Sequence, residues 1–361
     1  MRIVLLIIVL LHGLIHLLGF VKGMGIKEIK ELTLPISKPM GLVWLTATIF
    51  LLAYGVLYML HTKYAWLLGL VAVAVSQLLV ILFWKDAKFG TVPNLIILIV
   101  SICAWGVHNF QQLVEQETTR LLHQNGSPTH KILSESDINP LPTPIKKWLR
   151  HSGAVGKPFI GSAKVTQIAE LQMQPEQANW LKATATQYTT IEKPAFIWVV
   201  DVSMNSLLGF QGRDKFEEGK GEMLIKVNSL VNIVNERGEK LNEGTLQRYL
   251  GEMVWFPSLA LSPYITWEQI DEHTVRAMMH YKGTSGSGVF YFNENGDVVK
   301  FLALRYKGNE ATAKRYEWEM NILDYKTFGG IKVPAKMTST WKLEKGNWTW
   351  LKLEVANIQY N

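Results

Sequence analysis

A chain of 361 residues, 48% hydrophobic and +7 in formal charge, has room for two modules at about 100–200 residues per domain. The first 110 residues carry eight basic side chains (Arg2, Lys22, Lys27, Lys30, Lys38, Lys63, Lys85, Lys88) against three acids (Glu28, Glu31, Asp86). The basic excess therefore belongs mostly to short loops between apolar runs, which argues against a nucleic-acid partner. The single cysteine, Cys103, excludes an intrachain disulfide and a cysteine-built zinc site, so stability must come from an apolar core.

In chain order, the first elements are four apolar stretches, Ile3–Val21, Gly41–Leu60, Ala65–Phe83 and Val92–Phe110. Each approaches the roughly 20 residues a helix needs to cross about 30 Å of hydrocarbon. Short connections such as His61-Thr-Lys63-Tyr64 predict antiparallel neighbours, hence a four-helix transmembrane bundle over residues 1–110. No small-x-small cleavage site follows the first run, which continues Gly19-Phe-Val-Lys-Gly23, so it is expected to be retained. Six lysines lie in the loops after the first and third runs, against Arg2, Lys63 and Arg120 on the other side. That asymmetry puts the lysine-rich loops in the cytoplasm and the C-terminal part outside it. The expectation is a multi-pass protein of the cytoplasmic membrane, with membrane lipids as partners.

Polar residues inside the spans are costly and count as functional candidates. His12 and His16 share a helix face, His108 lies near the end of the fourth span, and Gln77 follows Ser76 in the middle of the third. Three histidines suit haem, a metal or a proton relay, but His-x-x-x-His comes without an acidic third ligand. Hydrogen bonding across the bundle accounts for them with fewer assumptions, and no metal or cofactor is assigned. The segment Trp84–Asn94 reads as a loop, with Asp86 paired to a lysine and Trp84 at the interface; as a site it would take a lipid headgroup.

Residues 111–145 read as a linker. Gln111–Gln124 prolongs the fourth helix, Asn125-Gly-Ser-Pro128 ends it, and Pro140, Pro142 and Pro144 introduce a short helix, Ile145–His151. From residue 146 to the end, period-two alternation predicts a β-rich domain. The strands expected are Ala163–Met173, Leu181–Thr189, Ala195–Ser203, Gly221–Asn235, Val275–Lys282, Gly288–Asn293, Val298–Tyr306, Arg315–Tyr325, Ala335–Leu343 and Trp348–Ile358. Hairpin turns are expected at Glu294-Asn-Gly-Asp297, Glu236-Arg-Gly-Glu239 and Lys345-Gly-Asn347, and one amphipathic helix at Gly244–Phe256, stopped by Pro257. A sheet of about ten strands must curl, close or be covered. The fold expected is an all-α transmembrane bundle followed by a mainly β domain, a curved antiparallel sheet or half-barrel under one or two covering helices.

The order Lys147-Trp-Leu-Arg-His-Ser-Gly153, Gly212-Arg-Asp-Lys-Phe-Glu-Glu-Gly-Lys-Gly-Glu-Met223, Leu246-Gln-Arg-Tyr-Leu-Gly-Glu-Met-Val-Trp-Phe-Pro257 and Gly329-Gly-Ile-Lys-Val-Pro334 resembles an uncharacterised bacterial family, domain of unknown function 6544 (earlier 6920), over about residues 140–361. The apolar half, with Leu11-His-Gly-Leu-Ile-His16 and Trp84–Asn94, resembles its membrane-anchored, Bacteroidetes-type branch. The resemblance implies a sheet similar to the lipoprotein-carrier (LolA-like) half-barrel, which holds acyl chains under a helical lid. It supplies no mechanism, since fold does not fix function.

Two features carry possible chemistry. Arg213, Asp214 and Glu222 are followed by Arg248 and Glu252, four apart on the amphipathic helix. If that helix crosses the mouth of a curved sheet, Arg248 meets a phosphate or carboxylate headgroup while Trp255 and Phe256 touch its chains; the plainer alternative is an ion-pair network pinning helix to sheet. The tryptophans 180, 198, 255, 267, 318, 341, 348 and 350 suit a ligand cavity as well as an ordinary core. Gly283-Thr-Ser-Gly-Ser-Gly288 fails the nucleophile-elbow pattern, and no phosphate loop, dinucleotide fingerprint or metal motif occurs. A non-enzyme is favoured: a β domain binding a lipid or other amphiphile for storage, transfer or sensing, with an apolar cavity near Arg248 and Trp255. The alternatives are an envelope hydrolase using Asp214, Glu222 or Glu252 as acid or base, and a scaffold for protein partners.

Overall fold

The computed structural model describes residues 2–124, 131–205 and 208–361. The helix stop expected at Asn125–Pro128 lies outside the described residues. The chain divides into two compact units, residues 1–112 with 228–230 and residues 113–227 with 231–361.

The first unit is built on α1 (Arg2–Gly23), α2 (Lys38–Met59), α3 (Ala65–Leu82), the short α4 (Trp84–Ala87), a 3-10 turn at Lys88–Gly90 and the first part of α5 (Thr91–Gln124). Among the described residues, four helices are long and apolar enough to cross a membrane. Their inner faces pack Leu5 and Val9, Leu51 and Tyr54, Ala72 and Val73, and Ile97 into one cluster, while Ile3, Leu11, Leu14, Leu78 and Leu95 stay exposed. Small residues set the spacing: a Cβ on Gly19 would fall 2.1 Å from the Trp44 ring, and one on Gly23 would fall 2.7 Å from the Gly41 Cα. The segment expected as a loop at Trp84–Asn94 is instead α4, a 3-10 turn and the start of α5. Asp86 there accepts from the amides of Thr33 (2.6 Å) and Leu34 (2.9 Å) and from the Thr33 hydroxyl (2.7 Å). Two amides and a hydroxyl satisfy the carboxylate where a lysine was expected.

In the second unit, α6 (Glu135–Ile138) and α7 (Thr143–His151) lead into thirteen strands: β1 (Ser162–Leu171), β2 (Leu181–Thr190), β3 (Ala195–Ser203), β4 (Gly209–Glu217), β5 (Lys220–Val227), β6 (Val231–Arg237), β7 (Ile265–Gln269), β8 (Thr274–Tyr281), β9 (Thr284–Phe292), β10 (Val298–Tyr306), β11 (Arg315–Phe328), β12 (Ile331–Leu343) and β13 (Gly346–Tyr360). All pair antiparallel in one sheet, ordered 6-5-4-3-2-1-13-12-11-10-9-8-7. Two meanders thus meet where the first strand pairs with the last, Ala163 opposite Tyr360. So many strands cannot stay flat, and the sheet curls into a half-barrel. Between the edge strands β6 and β7 the chain runs through α8 (Glu239–Gly251) and 3-10 turns at Glu252–Trp255 and Pro257–Leu261. Leu246, Tyr249, Leu250, Met253, Val254, Trp255 and Phe256 from this segment join the inward side chains of the sheet in one core.

Among the described residues, thirteen strands stand where ten were expected, and the reasons are local. Gly221–Asn235 is two strands, because Asn228 (φ 46°) and Ser229 (φ 58°) turn the chain without a glycine. Strand β4 hid behind Arg213-Asp-Lys215, a charge run unlike a strand that is solvated on one face. Strand β7 is only five residues long. The hairpin expected at Glu236–Glu239 is absent: Arg237 ends β6, and Gly238 (φ 136°) caps α8, which starts five residues before the expected Gly244. The turn between β9 and β10 falls where Asn-Gly was read, with Asn293 Oδ1 accepting from the amides of Asn295 and Asp297 at 3.0 Å each.

Packing in the half-barrel is tight enough for one methyl group to matter. A Cβ on Gly288 would sit 2.1 Å from Phe301 Cζ, and Phe301 is fully buried. Gly288→Ala is therefore expected to destabilise the β unit by about 1–3 kcal/mol. Urea unfolding of the full chain should show a lower midpoint at unchanged slope.

Candidate functional site

The sequence candidates fall into three places. In the first unit, His12, His16 and Gln77 join one buried network. His16 Nδ1 donates to the His12 carbonyl at 2.9 Å, and Ser76 Oγ lies 2.9 Å from His16 Nε2 and 3.1 Å from His12 Nε2. His12 Nε2 also lies 2.9 Å from Asn94 Oδ1, while the Asn94 amide donates to Gln77 Oε1 at 3.0 Å. Gln77 in turn donates to Thr91 at 3.2 Å. Asn94, read as a loop residue from the sequence, is the hub of this network. His108 stands apart, its ring against Tyr64 and Trp66 at 5.2 and 5.8 Å. Among the described residues, no three His, Cys, Asp or Glu side chains are grouped to hold a metal ion.

The second place is one face of β4. Arg213 and Lys215, two apart, turn to the side covered by residues 113–124 of α5, where Glu117 meets Arg213 at 3.1 Å and Lys215 at 3.0 Å. Glu222 on β5 belongs here too, 3.0 Å from Arg213. Burial works to raise Glu222, but Lys215, Arg213 and Arg237 outweigh it and hold the carboxyl below its ordinary range. Among the described residues, neither Arg213 nor Glu222 reaches the cavity described next.

The third place is the concave face. Asp214, between Arg213 and Lys215, points the other way, to Arg248 on α8. Arg248 Nη1 donates to Asp214 at 2.8 Å, Nε to Glu252 at 2.7 Å and Nη2 to Gln187 on β2 at 3.2 Å. Gln187 closes the ring by donating to Glu252 at 2.7 Å. The guanidinium lies over Phe196 and Trp198, 5.0 and 4.7 Å from their centroids. Burial raises the Asp214 carboxyl above its usual value, further than Arg248 and Arg213 lower it. Phe256 is buried in the core beside Trp255 and does not line the cavity.

Beside this cluster is a cavity of about 260 Å³, walled by Trp198, Asp214, Arg248, Glu252 and Trp255 on one side and by side chains of β10–β13 on the other. The second wall was not anticipated as a unit. Cross-strand pairing aligns Ala303, Trp318, Trp341 and Trp348 in one row over four strands, and Met320, Met337, Leu351 and Leu353 complete an apolar surface. Arg305 lies over the row, 4.4 Å from the Trp318 centroid and 5.7 Å from that of Trp341. Sequence reasoning passed over Arg305. The signal was its register, two and four residues after the buried Ala303 and Phe301, which puts a cation on the inward set of β10.

The profile of a family of unknown function, DUF6544, matches residues 131–353, and the chain belongs to this family. No curated protein matches it. Among solved structures it is similar to a LolA-superfamily protein of Nitrosomonas europaea, at 10% identity over 60% of this chain and 93% of that one, TM-score 0.34. It is also similar to a β-barrel-like protein of the DUF1849 class from Brucella abortus, at 8% identity over 56% and 99% of the two chains, TM-score 0.26.

The Arg248 cluster yields a prediction about stability. Arg248→Met leaves Asp214 and Glu252 buried without their cation, expected to cost about 3–5 kcal/mol. Adding Asp214→Asn and Glu252→Gln should recover a large part of that loss in urea unfolding. A triple variant no more stable than Arg248→Met alone would show that the two acids do not depend on Arg248.

Proposed function

We propose that the β unit of this family member binds a lipid or another amphiphile inside the half-barrel, for storage, transfer or sensing, and that the four apolar helices hold it at a membrane as a multi-pass anchor. One observation carries the reading: a 260 Å³ cavity with a mostly apolar lining of tryptophan, methionine and leucine, sited between an interior helix and the sheet. Such a space with few polar groups is the usual form of a small-ligand site. The lysine asymmetry of the short loops supports an extracytoplasmic β unit. Less supports the hydrolase alternative, because Glu222 is bound in the outer network and Asp214 and Glu252 are both bonded to Arg248. The scaffold alternative wants a solid core, and a cavity counts against it.

The test is native mass spectrometry of the full chain, released from detergent, with lipid extraction of the same sample. A stoichiometric amphiphile is expected in the unmodified protein, reduced several-fold in Met337→Phe and in Leu353→Phe, each of which adds a ring to the cavity wall. Equal lipid content in all three proteins would assign the lipid to the apolar helices and remove the reading.

A further inference from the structure

The polar chemistry of the cavity is one-sided. Of its tryptophans, Trp198 donates to Gln167 (2.9 Å), Trp255 to the Pro334 carbonyl (3.0 Å) and Trp350 to Ser339 (3.0 Å). Trp318 Nε1 and Trp348 Nε1 are buried without an acceptor, and so is Arg305 Nε. All three residues line the cavity. Trp318 and Trp348 flank Trp341 in the cross-strand row, and the Arg305 guanidinium covers Trp318 and Trp341, so the three unmatched donors belong to one patch of wall. A buried donor without an acceptor is costly, more so where it is charged, and native proteins rarely keep three together.

Charge points the same way. Two carboxylates reach this cavity, Asp214 and Glu252, and both bond to Arg248. Glu243, the other acid whose field reaches Arg305, is paired with Arg315 at 2.7 Å. Among the described residues, no hydrogen bond or ion pair is made by the Arg305 side chain. Burial, then the like charge of Arg248, lowers Arg305 to about 10 despite the pull of Glu252, Asp214 and Glu243. Arg305 thus resembles a cation still short of its counter-ion, whereas Arg248 has both of its own.

Resting on the amphiphile reading above, the geometry points to the class of ligand: an acidic amphiphile whose carboxylate or phosphate head pairs with the Arg305 guanidinium while its chain lies against the Met and Leu wall. A planar guanidinium fork suits either oxyanion. At roughly 30 Å³ per water-sized group, a cavity of 260 Å³ has room for about nine such groups, which sets the length of a suitable probe.

The experiment is titration calorimetry on the full chain in nanodiscs, referenced to empty nanodiscs, with octanoate, octyl phosphate, octanol, octylammonium and inorganic phosphate. Octanoate or octyl phosphate is expected to bind at least about tenfold more tightly than octanol, as charge-assisted hydrogen bonds warrant, and octylammonium least. Arg305→Met should erase that preference while leaving octanol binding in place. Octanol binding as tightly as the two acids would overturn the head-group inference and leave the amphiphile reading standing. Inorganic phosphate matching octyl phosphate would overturn it in favour of a plain anion site. No saturable binding of any chain would remove both.

Discussion

A helix inside a curled sheet has its neighbours on nearly every side, so each polar group it carries must be matched within the protein. Helix α8 meets this constraint with Arg248, bonded to Asp214 on β4, to Glu252 one turn along and to Gln187 on β2. Tyr249 adds a bond to the Thr190 carbonyl at 2.8 Å, and Gln247 one to the Leu304 carbonyl at 3.1 Å. Buried ion pairs seldom add much net stability, because desolvation offsets their attraction. What this one supplies is position: α8 is held against β4, β5, β9 and β10, and the space toward β11–β13 is left to bulky side chains that do not fill it. The cavity is a consequence of where the helix is pinned.

That arrangement separates two arginines that look alike in the sequence. Both are half-buried over aromatic rings, and both line the same cavity. Arg248 is matched by acids of its own neighbourhood and acts as a fastener. Arg305 lies over Trp318 and Trp341, and among the described residues no acid is bonded to it. Discrimination in a buried site comes mainly from polar groups that a wrong ligand leaves unpaired. A wall with an unmatched cation and aromatic faces therefore favours anionic heads, and its apolar remainder contributes affinity with little preference.

Much of this architecture was legible in the sequence because it depends on local periodicity. The four apolar helices follow from run length, and the alternation of buried and open positions in β1, with Val165, Ala169 and Leu171 inward, was enough to find most strands. What escaped depends on pairing between distant segments. Strand β4 carries Arg213, Asp214 and Lys215 in succession because both of its faces are covered, one by residues 113–124 of α5 and one by α8, and such a strand shows no polar face. The turn at Asn228-Ser229 takes positive φ without the glycine that would have marked it. Asn94 could not be recognised as the partner of His12 and Gln77 until α3 and α5 were set side by side.

The candidate site shows the same limit more sharply. The spacing of Arg248 and Glu252 was readable because helix geometry brings residues four apart together. The grouping of Arg213, Asp214 and Glu222 failed as a unit because neighbours on a strand face opposite ways, so one strand feeds two charge networks. Conversely, Trp318, Trp341 and Trp348 are separated in sequence yet form one row, since register places them opposite one another on three adjacent strands. Arg305 gains its meaning only from that row. On its own strand it is an ordinary cation, and over Trp318 and Trp341, bonded to no acid among the described residues, it is the cation of the cavity that the protein itself leaves unmatched.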